Sequence, residues 1–136
     1  MAIVFVAHGK LRDWQMWRQV TDCPTKARSK LRVLIATYDP DLIACEDPGQ
    51  GCRKRGKSLR LLQTLVQAVA DEPIRHVKLP RPRQYRTRYE EAKVLAQRFP
   101  EISAWCPEPR KSFEKDAKNL TYFEALAYAA EVLDRL

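Results

Sequence analysis

The chain has 136 residues, 45% of them hydrophobic, enough to enclose one core and too few for two of ordinary size. Its 25 Lys and Arg outnumber 17 Asp and Glu, and the formal charge of +8 favours polyanionic partners. Four cysteines, Cys23, Cys45, Cys52 and Cys106, contain no Cys-x-x-Cys pair and argue against a zinc site. No apolar run approaches the roughly 20 residues of a membrane span, and the apolar start is too short for a signal peptide. These features point to a cytoplasmic protein with free thiols and no membrane partner.

Residues 3–7 are apolar and largely β-branched, His8-Gly9-Lys10 punctuates, and residues 11–20 alternate with Trp14, Met16, Arg18 and Val20 on one side. This pattern predicts a hairpin. Asp22-Cys23-Pro24-Thr25 offers a helix cap, and residues 26–38 place Leu31, Leu34 and Ile35 at helical spacing. Asp39-Pro40-Asp41 ends that helix, because proline cannot continue it.

Leu42-Ile43-Ala44-Cys45 has no polar alternation, which predicts a strand buried on both faces in the middle of a sheet. It delivers Glu46 and Asp47 at its carboxyl end. Residues 48–57 form a loop rich in glycine and positive charge, and from Ser58 the pattern Leu61, Leu62, Leu65, Val66, Val69 predicts an amphipathic helix. Residues 74–79 read as a further strand, with Ile74, His76 and Lys78 on one face and Arg75, Val77 and Leu79 on the other.

Residues 80–88 are a second basic loop. A helix is predicted over about residues 87–99, stopped by Pro100; residues 105–111 read as irregular chain. The terminal helix, residues 120–136, carries Phe123, Leu126, Ala127, Ala130 and Leu133 along one stripe. Helices returning between strands imply a partly parallel sheet covered on its faces, hence one α/β domain over residues 1–136.

Three features carry chemistry. Glu46 closes a strand, and ligands of open α/β sheets collect at that edge. Arg53, Lys54, Arg55, Lys57 and Arg60 follow it closely, and Arg75, Lys78, Arg81, Arg83, Arg86 and Arg88 occupy an acid-free span. Two such runs leaving one sheet edge would bind phosphates with salt-sensitive, largely sequence-independent affinity. Glu124 lies on the terminal helix, where the stripe beside it could turn its carboxylate toward Glu46. Two such carboxylates are costly to hold together unless a cation sits between them, and a pair of divalent ions is how many nucleases activate water and stabilise the leaving oxygen.

Several segments together resemble the RuvC-type Holliday-junction resolvases of the RNase H-like superfamily. Tyr38-Asp39-Pro40-Asp41-Leu42-Ile43-Ala44-Cys45-Glu46 resembles the stretch in which a helix ends and a central strand delivers a metal-binding Glu. Glu124-Ala125-Leu126-Ala127 resembles the family's Asp-Ala-Leu-Ala signature, and Gly9-Lys10-Leu11-Arg12-Asp13-Trp14 resembles the turn between its second and third strands. Phe99-Pro100-Glu101 and Pro109-Arg110-Lys111 through Glu114 and Asp116 resemble the family's closing region.

The resemblance implies an RNase H-like mixed sheet, an antiparallel hairpin followed by parallel strands, flanked by helices. It also implies a crossover-junction endonuclease in DNA recombination, working as a homodimer, with Mg²⁺ or Mn²⁺ on Glu46 and Glu124 and with Asp47 or Asp116 assisting. Arg53, Lys54, Arg55, Lys57, Arg60, Arg81, Arg83, Arg86 and Arg88 would then hold DNA. The sequence departs from the family pattern in two respects. No acid precedes Asp13, so the first strand and its Asp are expected to be missing, unless His8 takes that place; Thr121 stands where many relatives have an acid, for which Glu114 or Asp116 would substitute. An incomplete acid set leaves a non-catalytic nucleic-acid binder or scaffold, descended from such a nuclease, as the other reading.

Overall fold

The structure is a computed structural model, and it describes residues 1–18, 22–49 and 51–136. It is an α/β protein whose chain divides into two compact units, Met1–Trp17 with Pro82–Leu136 and Arg18–Arg81.

The first unit combines the two ends of the chain and begins with an antiparallel hairpin, β1 (Ala2–Ala7) and β2 (Lys10–Met16). His8 at φ 54° and Gly9 at φ 74° both take the left-handed conformation. That is the two-residue turn whose twist matches antiparallel strands, and glycine adopts it without steric cost. A register shift between Phe5 and Val6 bends the ladder, and Trp17 N–H continues it by donating to Met1 C=O at 2.6 Å. The second strand ends at Met16, short of the predicted Val20: Trp17 and Arg18 already lie beyond it, and residues 19–21 are outside those described.

Helix α3 (Arg88–Arg98) is capped by Thr87, whose side chain accepts from Glu90 N–H, and has Glu90 and Glu91 in its first turn, where the helix dipole favours anions. Pro100 does end it. The next segment, Pro100–Trp105, winds as a 3₁₀ helix that the sequence pattern did not predict, and residues 106–111 are irregular chain, as expected. Helix α4 (Leu120–Arg135) buries Phe123, Leu126, Ala127 and Ala130 as the stripe predicted, with Leu133 packed at the edge. Together with Leu11, Ala92, Leu95, Phe99 and Ile102 they form one core, over which Trp14 and Trp105 meet edge to face at 5.3 Å.

The middle unit packs helix α1 (Pro24–Tyr38) on α2 (Gly56–Ala70) and sets α2 against the parallel pair β3 (Leu42–Glu46) and β4 (Arg75–Leu79). Helix α1 starts two residues earlier than predicted because Pro24, which lacks an N–H, suits its first turn. Asp39, at φ 46°, ends it by donating its N–H to Ile35 C=O at 2.8 Å. The core here is smaller: Leu31, Ala68 and Val69, with Ile35, Ile43 and Cys45 packed against them.

β3 departs from its predicted environment. Among the described residues it pairs with β4 alone, and Leu42, Ile43, Ala44 and Cys45 are each only partly buried, so its apolar run covers one helix layer and is not enclosed in the middle of a wide sheet.

Candidate nucleic-acid interface

The parallel register sets Glu46 opposite Leu79, and Asp47 N–H donates to Leu79 C=O at 2.7 Å. Both strands therefore end together, and the basic loop after β3 leaves from the same end of the pair as Pro80 and Arg81 after β4. Of the second basic run, Arg75, Lys78 and Arg81 belong to this unit, and Arg83, Arg86 and Arg88 to the other.

Glu46 is buried, with 8% of its surface exposed, and a carboxylate in that position needs charge-assisted partners. Lys54 supplies them: its ammonium donates to Oε1 at 3.0 Å and to Oε2 at 2.9 Å, and Cys52 Sγ approaches Oε2 at 3.5 Å. Asp47 Oδ1 accepts from Gly49 N–H at 2.8 Å and pins the turn that starts the loop. Lys54 thus folds the loop back on the end of β3, and the cations on either side of it are exposed.

Arg53 and Lys57 are exposed, with no ion pair among the described residues. Arg55 is exposed too, its guanidinium donating to the carbonyls of Cys52 at 3.2 Å and Lys54 at 2.9 Å, contacts that fix its place without neutralising its charge. Arg60 has a long contact to Asp22, 3.9 Å. Helix α2 begins among these cations with no side-chain cap and no acid in its first turn, so its amide groups add to the positive field.

In the other unit, Arg88 bridges two of the predicted acids, reaching Asp116 at 2.9 Å and pairing closely with Glu124. Arg110 also holds Asp116, at 2.7 Å, and donates to the carbonyl of Glu114 at 2.9 Å. Tyr89 hydroxyl contacts Asp116 at 3.4 Å and accepts from Ala117 N–H at 3.3 Å. Glu124 and Asp116 are thereby gathered on one guanidinium, a grouping for which the sequence offered only a loose hint. Arg83 and Arg86 are exposed in this unit, and Arg81 is half-buried in the middle one.

These donor sets do not fit a divalent ion. Magnesium and manganese take several oxygen ligands at short range, whereas the Glu46 oxygens face an ammonium and Glu124 and Asp116 face guanidinium groups. Among the described residues, no three His, Cys, Asp or Glu side chains are grouped so as to hold a metal ion.

The Cys45 thiol, on the same strand as Glu46, is pushed up to about 11 by burial. Burial, assisted by Glu108, also raises Cys106. Both stay protonated near neutrality, which removes them as nucleophiles there.

Fold and site together define an α/β protein that presents a basic loop at the carboxyl end of a parallel strand pair. Comparison with known proteins found no match to a family model, a curated protein or a solved structure. No helix among the described residues is long and apolar enough to cross a membrane.

Proposed function

We propose that this chain is a nucleic-acid-binding protein of RuvC-like, RNase H-like ancestry, and that it holds the phosphates of DNA on the loop between β3 and α2. One observation carries the reading: Arg53, Arg55 and Lys57 project around the start of α2 while the neighbouring acid, Glu46, is neutralised from within by Lys54. A loop whose own carboxylate is already paired keeps its remaining cations for an outside polyanion. Contacts of this kind position a phosphate backbone without reading bases, so shape more than sequence governs the choice of DNA.

The test is fluorescence anisotropy with a four-way junction and a linear duplex in EDTA. About four phosphate contacts would cost roughly a hundredfold in affinity between about 50 and 200 mM salt. Arg53→Gln and Arg55→Gln should each reduce the salt slope by about one. Affinity indifferent to salt removes the reading.

The catalytic alternative, a Mg²⁺- or Mn²⁺-dependent junction endonuclease, has one observation in its favour: a buried carboxylate at the carboxyl end of a parallel strand, where α/β enzymes place their chemistry. Junction cleavage in Mn²⁺ that Glu46→Gln abolishes would establish it.

A further inference from the structure

We infer that Lys54 is the resident cation of Glu46, taking by its ammonium the place that a divalent ion holds in a metal-dependent nuclease. The inference goes beyond nucleic-acid binding and stands whether or not DNA is the partner. A carboxylate that is 8% exposed must be neutralised by something close. An ammonium is a compact point charge with three donors, and here it spans both oxygens at 2.9 and 3.0 Å.

The tether is also short. Lys54 lies eight residues after Glu46 on a loop whose first turn is closed by the Asp47 contact to Gly49, so the cation is delivered by the same chain that presents the acid. A divalent ion entering here would have to displace Lys54, and it would meet positive charge from Arg53, Arg55 and Lys57 on the way. The other unit repeats the arrangement independently, with Arg88 on both Glu124 and Asp116. In each unit the acids that resemble metal ligands already carry an internal cation, and charge balance at Glu46 needs no ion from solution.

The experiment titrates Mn²⁺ into the full chain and follows the bound ion by its paramagnetic resonance signal. Wild type and Glu46→Gln are expected to bind Mn²⁺ alike up to about 1 mM, the weak end of the range for oxygen-ligand sites. Lys54→Met should bind Mn²⁺ more tightly than wild type, and the double variant Lys54→Met with Glu46→Gln should return to the wild-type level. Lys54→Arg, which keeps a cation, should behave as wild type.

Binding by wild type that Glu46→Gln removes would overturn the inference, as would Lys54→Met and the double variant binding alike. Should Lys54→Met not fold, the pair of wild type and Glu46→Gln still decides the matter. Anisotropy in EDTA is read separately, so a failure to bind DNA would count against the nucleic-acid reading and leave this one standing.

Discussion

The unit built from the two chain ends and the middle unit spend their residues differently. The first encloses Phe99, Ile102, Leu120, Phe123 and Leu126 with almost no exposed surface and balances 12 Lys and Arg against 10 Asp and Glu. The middle unit buries a much smaller cluster around Leu31, Ala68 and Val69 and carries 13 Lys and Arg against 7 Asp and Glu. Apolar burial drives folding, and uncompensated like charge opposes it while attracting a polyanion. The first unit thus holds most of the fully buried apolar surface, and the middle one most of the excess positive charge.

The largest expected effect sharpens this contrast. Phe123→Ala should cost about 3 to 5 kcal/mol, because a large side chain at 1% exposure leaves a cavity that its neighbours cannot fill. Leu31→Ala in the thinner core should sit nearer 2 kcal/mol, the low end of the range, since its partly exposed surroundings can settle into the gap. Urea unfolding curves of both variants check the order, and equal losses would break the comparison.

Second in size is an asymmetry at Glu46. Lys54→Met leaves a buried carboxylate with its main counter-charge removed and should cost about 2 kcal/mol, reduced from the fully buried case because Lys54 is itself 43% exposed. Glu46→Gln should cost under about 1 kcal/mol, since the lysine can turn to water. The same urea midpoints read it, and the reverse order would mean that Glu46 is neutralised by some other group.

Much of this was legible in the sequence, for identifiable reasons. The turn at His8-Gly9, the stop at Pro100 and the stripe of α4 are local devices, and the structure has each of them. The delivery of Glu46 at the end of β3 was also legible, because Asp39-Pro40 fixes where the helix stops. Pairing was harder to read. Leu42-Ile43-Ala44-Cys45 looks the same whether one helix layer or two sheet faces cover it, since an apolar run records burial without recording the neighbour. The Lys54 contact was hidden for a related reason: five cations follow Glu46, and only the folded loop selects one of them. The sharing of Arg88 by Glu124 and Asp116 joins residues 28 and 36 positions away, with no local spacing to mark it.

Third comes a pH effect confined to the middle unit. The folded Cys45 thiol titrates at about 11 against an ordinary 9.0, raised by burial. Above pH 9 the unfolded chain therefore loses this proton first, and stability is present in full below that value and declines as pH rises toward 11. The decline attributable to Cys45 should reach about 1.4 kcal/mol near pH 10, one pH unit above the ordinary thiol value. Comparing Cys45→Ala with wild type between pH 8 and 10.5 checks it: the variant should lose less stability over that interval, and parallel curves would remove Cys45 as the cause.

The smallest effect tests the first unit's charge network. Arg88 is 43% exposed and Asp116 45%, so water screens the pair and Arg88→Ala should lower global stability by no more than about 1 kcal/mol. The local consequence should be larger than the global one. Arg88 through Asp116, and the Tyr89 hydroxyl through Ala117, tie the chain between the 3₁₀ helix and α4 to the start of α3, while Arg110 holds Asp116 from within that chain. Residues 106–119 have few other tethers of this kind, Asn119 donating to the Trp105 carbonyl at 3.2 Å among them. Amide hydrogen exchange in that segment should accelerate in Arg88→Ala while exchange in β1 and β2 stays at the wild-type rate, because local opening draws on local contacts. Uniform acceleration across the unit would instead make Arg88 part of the fold's global stability, and the division between a rigid core and a separately held segment would fail.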